Sequence, residues 1–341
     1  MGLVSGTRGL LLLFFVSLIL GCAGRPTIEV SVKYYSPYPL AFYNAYYNQK
    51  IPDLTFYIKN PSNRPVRVRI VSEYLGYSYE AVDTLELKPG ESVVLNQTIP
   101  LNVSRIEGIE EETYIPLHYS VQVMEDGRWV NWSERTVMVR VYPVDCMVWA
   151  VRMNDGRLLN MQDYIAVFVT PNAKAIRELL AKAKDFAPHH RLDGAEGSSL
   201  PQVRAIFDAL KFDYNVSYVN TPFFYGRDYV QRVRLPSESL KLGAMNCVDG
   251  AVLFASALEA LGIKSYIVLL PNHAFVAWKD PENGLVYALE TTLINSSFQV
   301  ALNKGLEELN KNLKRLNDED PWNGYLVDVE ACRKEGILPL Y

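Results

Sequence analysis

Near Asp145 the hydrophobic period of this chain changes, and that change limits what the chain can fold into. Before it, apolar and polar residues alternate over short stretches, at 28–32, 54–58, 66–70 and 136–141. A period of two sets one face of a strand in a core and the other in water. Lys59-Asn60-Pro61-Ser62-Asn63-Arg64-Pro65 and Lys88-Pro89-Gly90-Glu91 supply turns between such strands. Residues 27–145 are therefore predicted to form a β-sandwich, immunoglobulin-like in architecture. Tyr34, Tyr35, Tyr38, Tyr43, Tyr46 and Tyr47 crowd its start and read as packing, because tyrosine suits a half-buried pleated surface.

After Cys146 the pattern mixes periods. Residues 164–169 are an apolar run predicted as a strand; Ile176, Leu179, Leu180 and Ala183 mark one face of a helix. Ser199-Leu200-Pro201 opens a second helix through Val203, Ile206, Phe207 and Leu210. Leu302, Leu306, Leu309, Leu313 and Leu316 draw a stripe on a long third one. Residues 146–341 are thus predicted as an α+β domain, and 341 residues suit two domains.

The start of the chain carries Arg8 and then an uncharged, mostly apolar run to Leu20. That is the layout of a secretory signal, here residues 1–21, and the run is shorter than the roughly 20 apolar residues needed to span a bilayer. Ile19-Leu20-Gly21-Cys22 resembles the lipobox of secreted lipoproteins, which implies a lipidated Cys22, a linker over 22–26 and an extracytoplasmic protein held at the membrane. Simple cleavage and a retained anchor helix stay open as alternatives. Export makes Asn96, Asn102, Asn131, Asn215 and Asn295, each in Asn-X-Ser/Thr, candidate glycan acceptors. In an oxidising compartment Cys146 and Cys332 are candidates for a disulfide, which would leave Cys247 free; two buried unpaired thiols are the alternative. A net charge of -4 offers no basic footprint for nucleic acid. No cofactor motif is read, and His189-His190 has no Cys, Asp or Glu at metal-ligand spacing beside it.

The chemistry concentrates at Cys247, in Asn246-Cys247-Val248-Asp249-Gly250 ahead of an apolar stretch that ends at Gly262. A cysteine in the first turn of a helix meets unpaired amides and the positive end of the dipole, which favour a thiolate and then an oxyanion. Asp249 works against the dipole, so activation falls to an imidazole. His273 opens an apolar strand, Pro281-Glu282-Asn283-Gly284 makes a loop, and residues 285–290 return. With a four-residue loop, Asp280 faces Leu285 and Phe275 faces Glu290, so His273 is the diagonal neighbour of Glu290 on one sheet face. A carboxylate there can hold the ring by one nitrogen while the other faces the thiol. An odd loop length would put them on opposite faces. The aromatic residues Tyr214, Tyr218, Phe223, Phe224, Tyr225 and Tyr229 precede the cysteine, as core or as the wall of a cleft.

Asn246-Cys247, His273-Ala274-Phe275-Val276-Ala277-Trp278 and Glu290-Thr291-Thr292 resemble the motifs of the transglutaminase-like superfamily of papain-type fold. The likeness is good over 235–292 and loose over the rest of the domain. It implies a triad of Cys247, His273 and Glu290 that acts on peptide or amide bonds through a thioester, without a cofactor. Peptides, proteins or a cell-surface polymer are the implied substrates. Glu290 stands where the family usually has aspartate. The alternative from another class is a catalytically inactive surface lipoprotein that keeps the fold for binding or scaffolding. A transglutaminase in the strict sense is a third reading; it requires an amine acceptor site that the sequence does not display.

Overall fold

The computed structural model describes residues 27–153, 155–220 and 230–340. The expected signal segment 1–21, Cys22 with its linker 22–26, and Phe223, Phe224, Tyr225 and Tyr229 lie outside them. The fold is α+β, and the chain divides into two compact units between Val144 and Asp145. Among the described residues no helix is long and apolar enough to cross a membrane.

The first unit holds two sheets. Glu29–Tyr34, Leu54–Lys59 and Ser92–Gln97 form a three-stranded antiparallel sheet. Val66–Tyr74, Ala81–Leu87, Thr113–Glu125 and Arg128–Tyr142, with a short parallel edge at Tyr38–Pro39, form a five-stranded one. Val66, Val68, Ile70 and Tyr74 point inward from one strand while Arg67 stays exposed, which is the alternation read from sequence. Phe56 of the smaller sheet meets Tyr119 of the larger edge to face, with ring centroids 5.8 Å apart. The two proline-bounded turns are tied together by buried Asn60. Its amide donates to the carbonyls of Arg64, Leu87 and Lys88 at 2.8–3.0 Å, and its oxygen accepts from the Ser62 amide and hydroxyl. Tyr38 packs on Tyr46 and Tyr74 beside the buried carboxylate of Asp53. Burial lifts the pKa of Asp53 to about 7, against hydrogen bonds from the Ile99 amide and Tyr38.

In the second unit the helix Cys247–Ala260 is buried from Cys247 through Leu258, which is why its apolar residues run on without a polar face. It packs on an antiparallel sheet of four strands, ordered Val286–Leu289, His273–Lys279, Ser265–Leu270 and Tyr325–Asp328. Val268, Leu270, Phe275, Ala277 and Ala288 form one cluster on it, covered by Leu309 and Leu316 of the helix Phe298–Leu316. The larger of these side chains, Val268, Leu270 and Phe275, each contribute about 1.5–3 kcal/mol by burial. Of the expected leucine stripe, Leu302 is buried and Leu313 is exposed, whereas Leu309 and Leu316 make this contact. Gly305 permits it, since a Cβ there would lie 2.4 Å from the Ala288 carbonyl oxygen.

Two expectations are corrected. Residues 164–169 are not a strand: Gln162–Phe168 is a 3-10 run, with the Ala166 and Val169 carbonyls taken by Arg333 and the Val167 carbonyl by the Leu340 amide. A short apolar stretch has the same pattern in a buried helical turn as in a buried strand. The Cys146–Cys332 disulfide is not formed: Cys332 is a free, buried thiol. Cys146 lies on Cys146–Val148, paired with Val230–Arg232, while Cys332 sits on the helix Val329–Lys334 with its Sγ 3.7 Å from the Asp163 carbonyl oxygen. Burial, with the charge of Asp163, pushes the Cys332 thiol up to about 12.

Candidate functional site

Two devices position the cysteine. Asn246 is an N-cap whose Oδ1 accepts from the Asp249 amide at 2.9 Å, and Asp249 Oδ2 accepts in return from the Asn246 amide at 3.0 Å. This reciprocal capping box satisfies two helix-start donors and holds Cys247 as the first helical residue. The negative charge expected to oppose a thiolate is met by a cation: Asp249 is fully buried and its carboxylate takes the Arg234 guanidinium at 2.8 Å and the Arg234 amide at 2.9 Å.

The hairpin delivers the other two groups. Its ladder pairs Val276 with Leu289 and Lys279 with Val286, and the Asp280 amide donates to Leu285 at 2.8 Å. The loop is therefore the four residues 281–284, and the same register sets Phe275 across from Glu290. Asp280 is the reason. One carboxylate oxygen accepts from the Glu282 and Asn283 amides at 3.0 Å; the other accepts from the Ser199 amide and hydroxyl. Ser199 Oγ accepts in turn from the Trp278 indole at 2.8 Å. Burial would push Asp280 up, but these bonds hold its carboxyl below the usual value. The loop and the helix Ser199–Phe212 are thus fastened to one side chain.

His273 Nε2 lies 2.6 Å from Glu290 Oε2. Glu290 is buried, and its other oxygen accepts from the Thr292 amide at 3.1 Å and the Thr292 hydroxyl at 2.6 Å. The extra methylene of glutamate is accommodated by this turn, and the Glu290 amide is tied to the Ala301 carbonyl of the long helix at 3.1 Å. The Cys247 thiol is the second side chain that acts on the His273 ring. Burial pushes the imidazole pKa down, yet the bonds to Cys247 and Glu290 and the negative charge at both lift it to about 10. Gly250 lets these elements converge: a Cβ there would meet Thr291 Oγ1 at 2.6 Å, so the helix start lies directly against the residue after Glu290.

Sequence reasoning weighed Tyr218 only as a core or a wall residue and missed Glu308. The Tyr218 phenol is raised by burial and then by the charges of Cys247 and Glu290, so both act on it electrostatically. Glu308 is held low by Lys304, whose ammonium is 2.9 Å away, and also by the charge of His273. A leucine stripe reports the covered face of a helix and is silent about its rim. Among the sequons, Asn96, Asn131, Asn215 and Asn295 are exposed and Asn102 is half-buried. Among the described residues no group of His, Cys, Asp and Glu is arranged to hold a metal. Neither a family model nor a curated protein matches the chain.

Proposed function

We propose that this chain is a cysteine hydrolase of the transglutaminase-like superfamily, held at the cell surface by a lipid on Cys22 and cleaving peptide or amide bonds. The observation that carries the reading is the His273–Glu290 pair at 2.6 Å, with Cys247 the other side chain that raises the imidazole. An imidazole whose pKa is raised stays protonated at neutral pH and favours a thiolate beside it. Cys247 Sγ then adds to the substrate carbonyl, forming the C–S bond as the C=O electrons move onto oxygen. The helix-start amides of Cys247 and Val248 stabilise that oxyanion. Collapse breaks the C–N bond, His273 gives its proton to the leaving nitrogen, and a thioester remains. Water activated by His273 hydrolyses it. Glu290 holds the ring throughout and is itself held by Thr292.

The four-stranded antiparallel sheet with a buried helix led by cysteine is consistent with a papain-type core. The two antiparallel sheets of the first unit support an immunoglobulin-like sandwich acting as spacer or platform. Surface sequons fit glycosylation of an exported protein whose substrate is a peptide, a protein or a cell-surface polymer.

Alkylation by iodoacetamide, mapped by peptide mass, tests the reading. Fast, pH-dependent labelling of Cys247 that His273→Ala abolishes is expected. Labelling that is slow and equal in both proteins refutes catalysis and leaves the binding or scaffolding lipoprotein. Cys332 is an internal control, since a thiol pushed up to about 12 stays unreactive near neutrality.

A further inference from the structure

Resting on the hydrolase reading above, we propose that Tyr218 is a further catalytic residue, whose phenol O–H donates to the carbonyl oxygen of the substrate as that oxygen becomes an anion. The strand Ser217–Tyr218 pairs in parallel with Ala244–Met245, with Tyr218 opposite Met245. The Val219 amide donates to the Met245 carbonyl at 3.0 Å and the Ser217 amide to the Gly243 carbonyl at 2.9 Å, so this register is held on both sides of Tyr218. Residues directly opposite in a ladder present their side chains on the same face. Met245 is buried, and its sulfur lies 3.2 Å from the point where a side chain on Gly250 would begin. The face that Tyr218 shares is therefore turned toward the first turn of the cysteine helix.

The electrostatics of the phenol agree with that strand geometry. After burial, the charges of Cys247 and Glu290 are what raise the phenol, so the ring lies within electrostatic reach of nucleophile and carboxylate together, and it keeps its proton where a thiolate forms. Tyr218 is only half-buried, and its hydroxyl donates across a long 3.4 Å to Asn220 Oδ1, a bond readily exchanged for a substrate oxygen. The phenol would add a third donor to the helix start. The Asp249 amide is taken by the Asn246 side chain and the Gly250 amide by the Asn246 carbonyl, which leaves the helix start two amides to offer. In the addition step Sγ bonds to carbon, the carbonyl electrons pass to oxygen, and the phenol donates a hydrogen bond without giving up its proton. In the collapse the C=O bond reforms, the C–N bond breaks and the phenol returns to Asn220.

Two reactions of the full chain separate this role from a structural one. Iodoacetamide is attacked at an sp3 carbon and forms no oxyanion; p-nitrophenyl acetate is attacked at a carbonyl and forms one. Tyr218→Phe is expected to alkylate at Cys247 as fast as the unaltered protein while its burst of p-nitrophenolate slows by about 100-fold, the usual effect of losing one oxyanion donor. An unchanged burst overturns the proposal and leaves the triad standing. Equal slowing of both reactions, or acceleration of both, overturns it as well, in favour of a packing or a gating side chain. Absence of fast alkylation in the unaltered protein overturns the hydrolase reading itself.

Discussion

Gly250→Ala puts the convergence of helix and hairpin to a direct test. On an isolated helix the change is favourable by about 1 kcal/mol, because glycine is the poorer helix former. Here the new Cβ would stand 2.6 Å from Thr291 Oγ1, 2.8 Å from Thr291 Cβ and 3.2 Å from Met245 Sδ. Ordinary contact begins at 3.4 Å, so Thr291 must withdraw by about 0.6 Å at Cβ (2.8 to 3.4 Å) and about 0.8 Å at Oγ1 (2.6 to 3.4 Å). Overpacking of this kind costs about 1–3 kcal/mol, which leaves a net loss of about 0–2 kcal/mol in global stability. The local effect is sharper. Glu290 precedes Thr291, and a shift of that size carries its 2.6 Å bond to His273 past normal hydrogen-bond length. A bond to a charged group contributes about 1.5–3 kcal/mol, and 1.36 kcal/mol is about one pKa unit, so the His273 titration is expected to fall by about 1–2 units. The chain has four histidines, few enough to assign by NMR and follow the ring of His273 through pH. Cys247 alkylation near neutrality is expected to slow in parallel. If the variant is stabilised by the full helix-propensity gain while the His273 titration stays put, Gly250 is a bystander and this packing argument is wrong.

Three other outcomes are expected. His273 is raised above its unfolded value, so its pairing stabilises the fold fully below about pH 6.5 and the contribution is lost as pH rises through about 10; Glu290→Gln should flatten urea-unfolding free energies over that window, and an unaltered slope would count against the pair. Asp53 is also raised, to about 7, so its contribution is present below about pH 3.9 and lost as pH climbs through 7, roughly 4 kcal/mol in all. Calorimetry of Asp53→Asn against the unaltered chain should show the first unit's melting become nearly independent of pH between 4 and 7, and equal pH dependence in the two refutes the buried charge. Asp280→Ala strands the Ser199 amide and hydroxyl and the two loop amides, which costs on the order of 3 kcal/mol; a melting temperature within error of the parent would show that the loop holds without it.

What was legible in the sequence is what periodicity reports. Four strands of the first unit, the helices Lys174–Ala183 and Ser199–Phe212 and the hairpin partners announce themselves by which residues repeat toward a core. Residues 164–169 do not, because a short apolar run looks alike as strand or as 3-10 turns, and Arg333 and Leu340, both over 160 positions away, decide by binding its carbonyls. The strand Tyr325–Asp328 was missed for a related reason. It is four residues long and gains its place by pairing with Ser265–Leu270, a contact no local pattern encodes.

The site divides along the same line. Cys247, His273 and Glu290 were readable because a period of two and a loop length suffice to put His273 and Glu290 on one face. The groups that make the arrangement rigid were not. Asp280 reads only as the residue that faces Leu285, yet its carboxylate counts out the four-residue turn and ties it to Ser199 and Trp278, so the diagonal pairing that brings His273 to Glu290 rests on a side chain outside the constellation. Arg234 reads as a surface charge, yet it meets the Asp249 carboxylate that would otherwise oppose the helix dipole. Gly250 reads as a weak helix former and turns out to be the space that Thr291 occupies. Each acts through a partner distant in sequence or through an atom it lacks, and neither leaves a mark in hydrophobic pattern. Side chains proposed for the chemistry can be found by residue type and spacing, whereas those that hold them in place are found by asking what each buried carboxylate, and each missing Cβ, is next to.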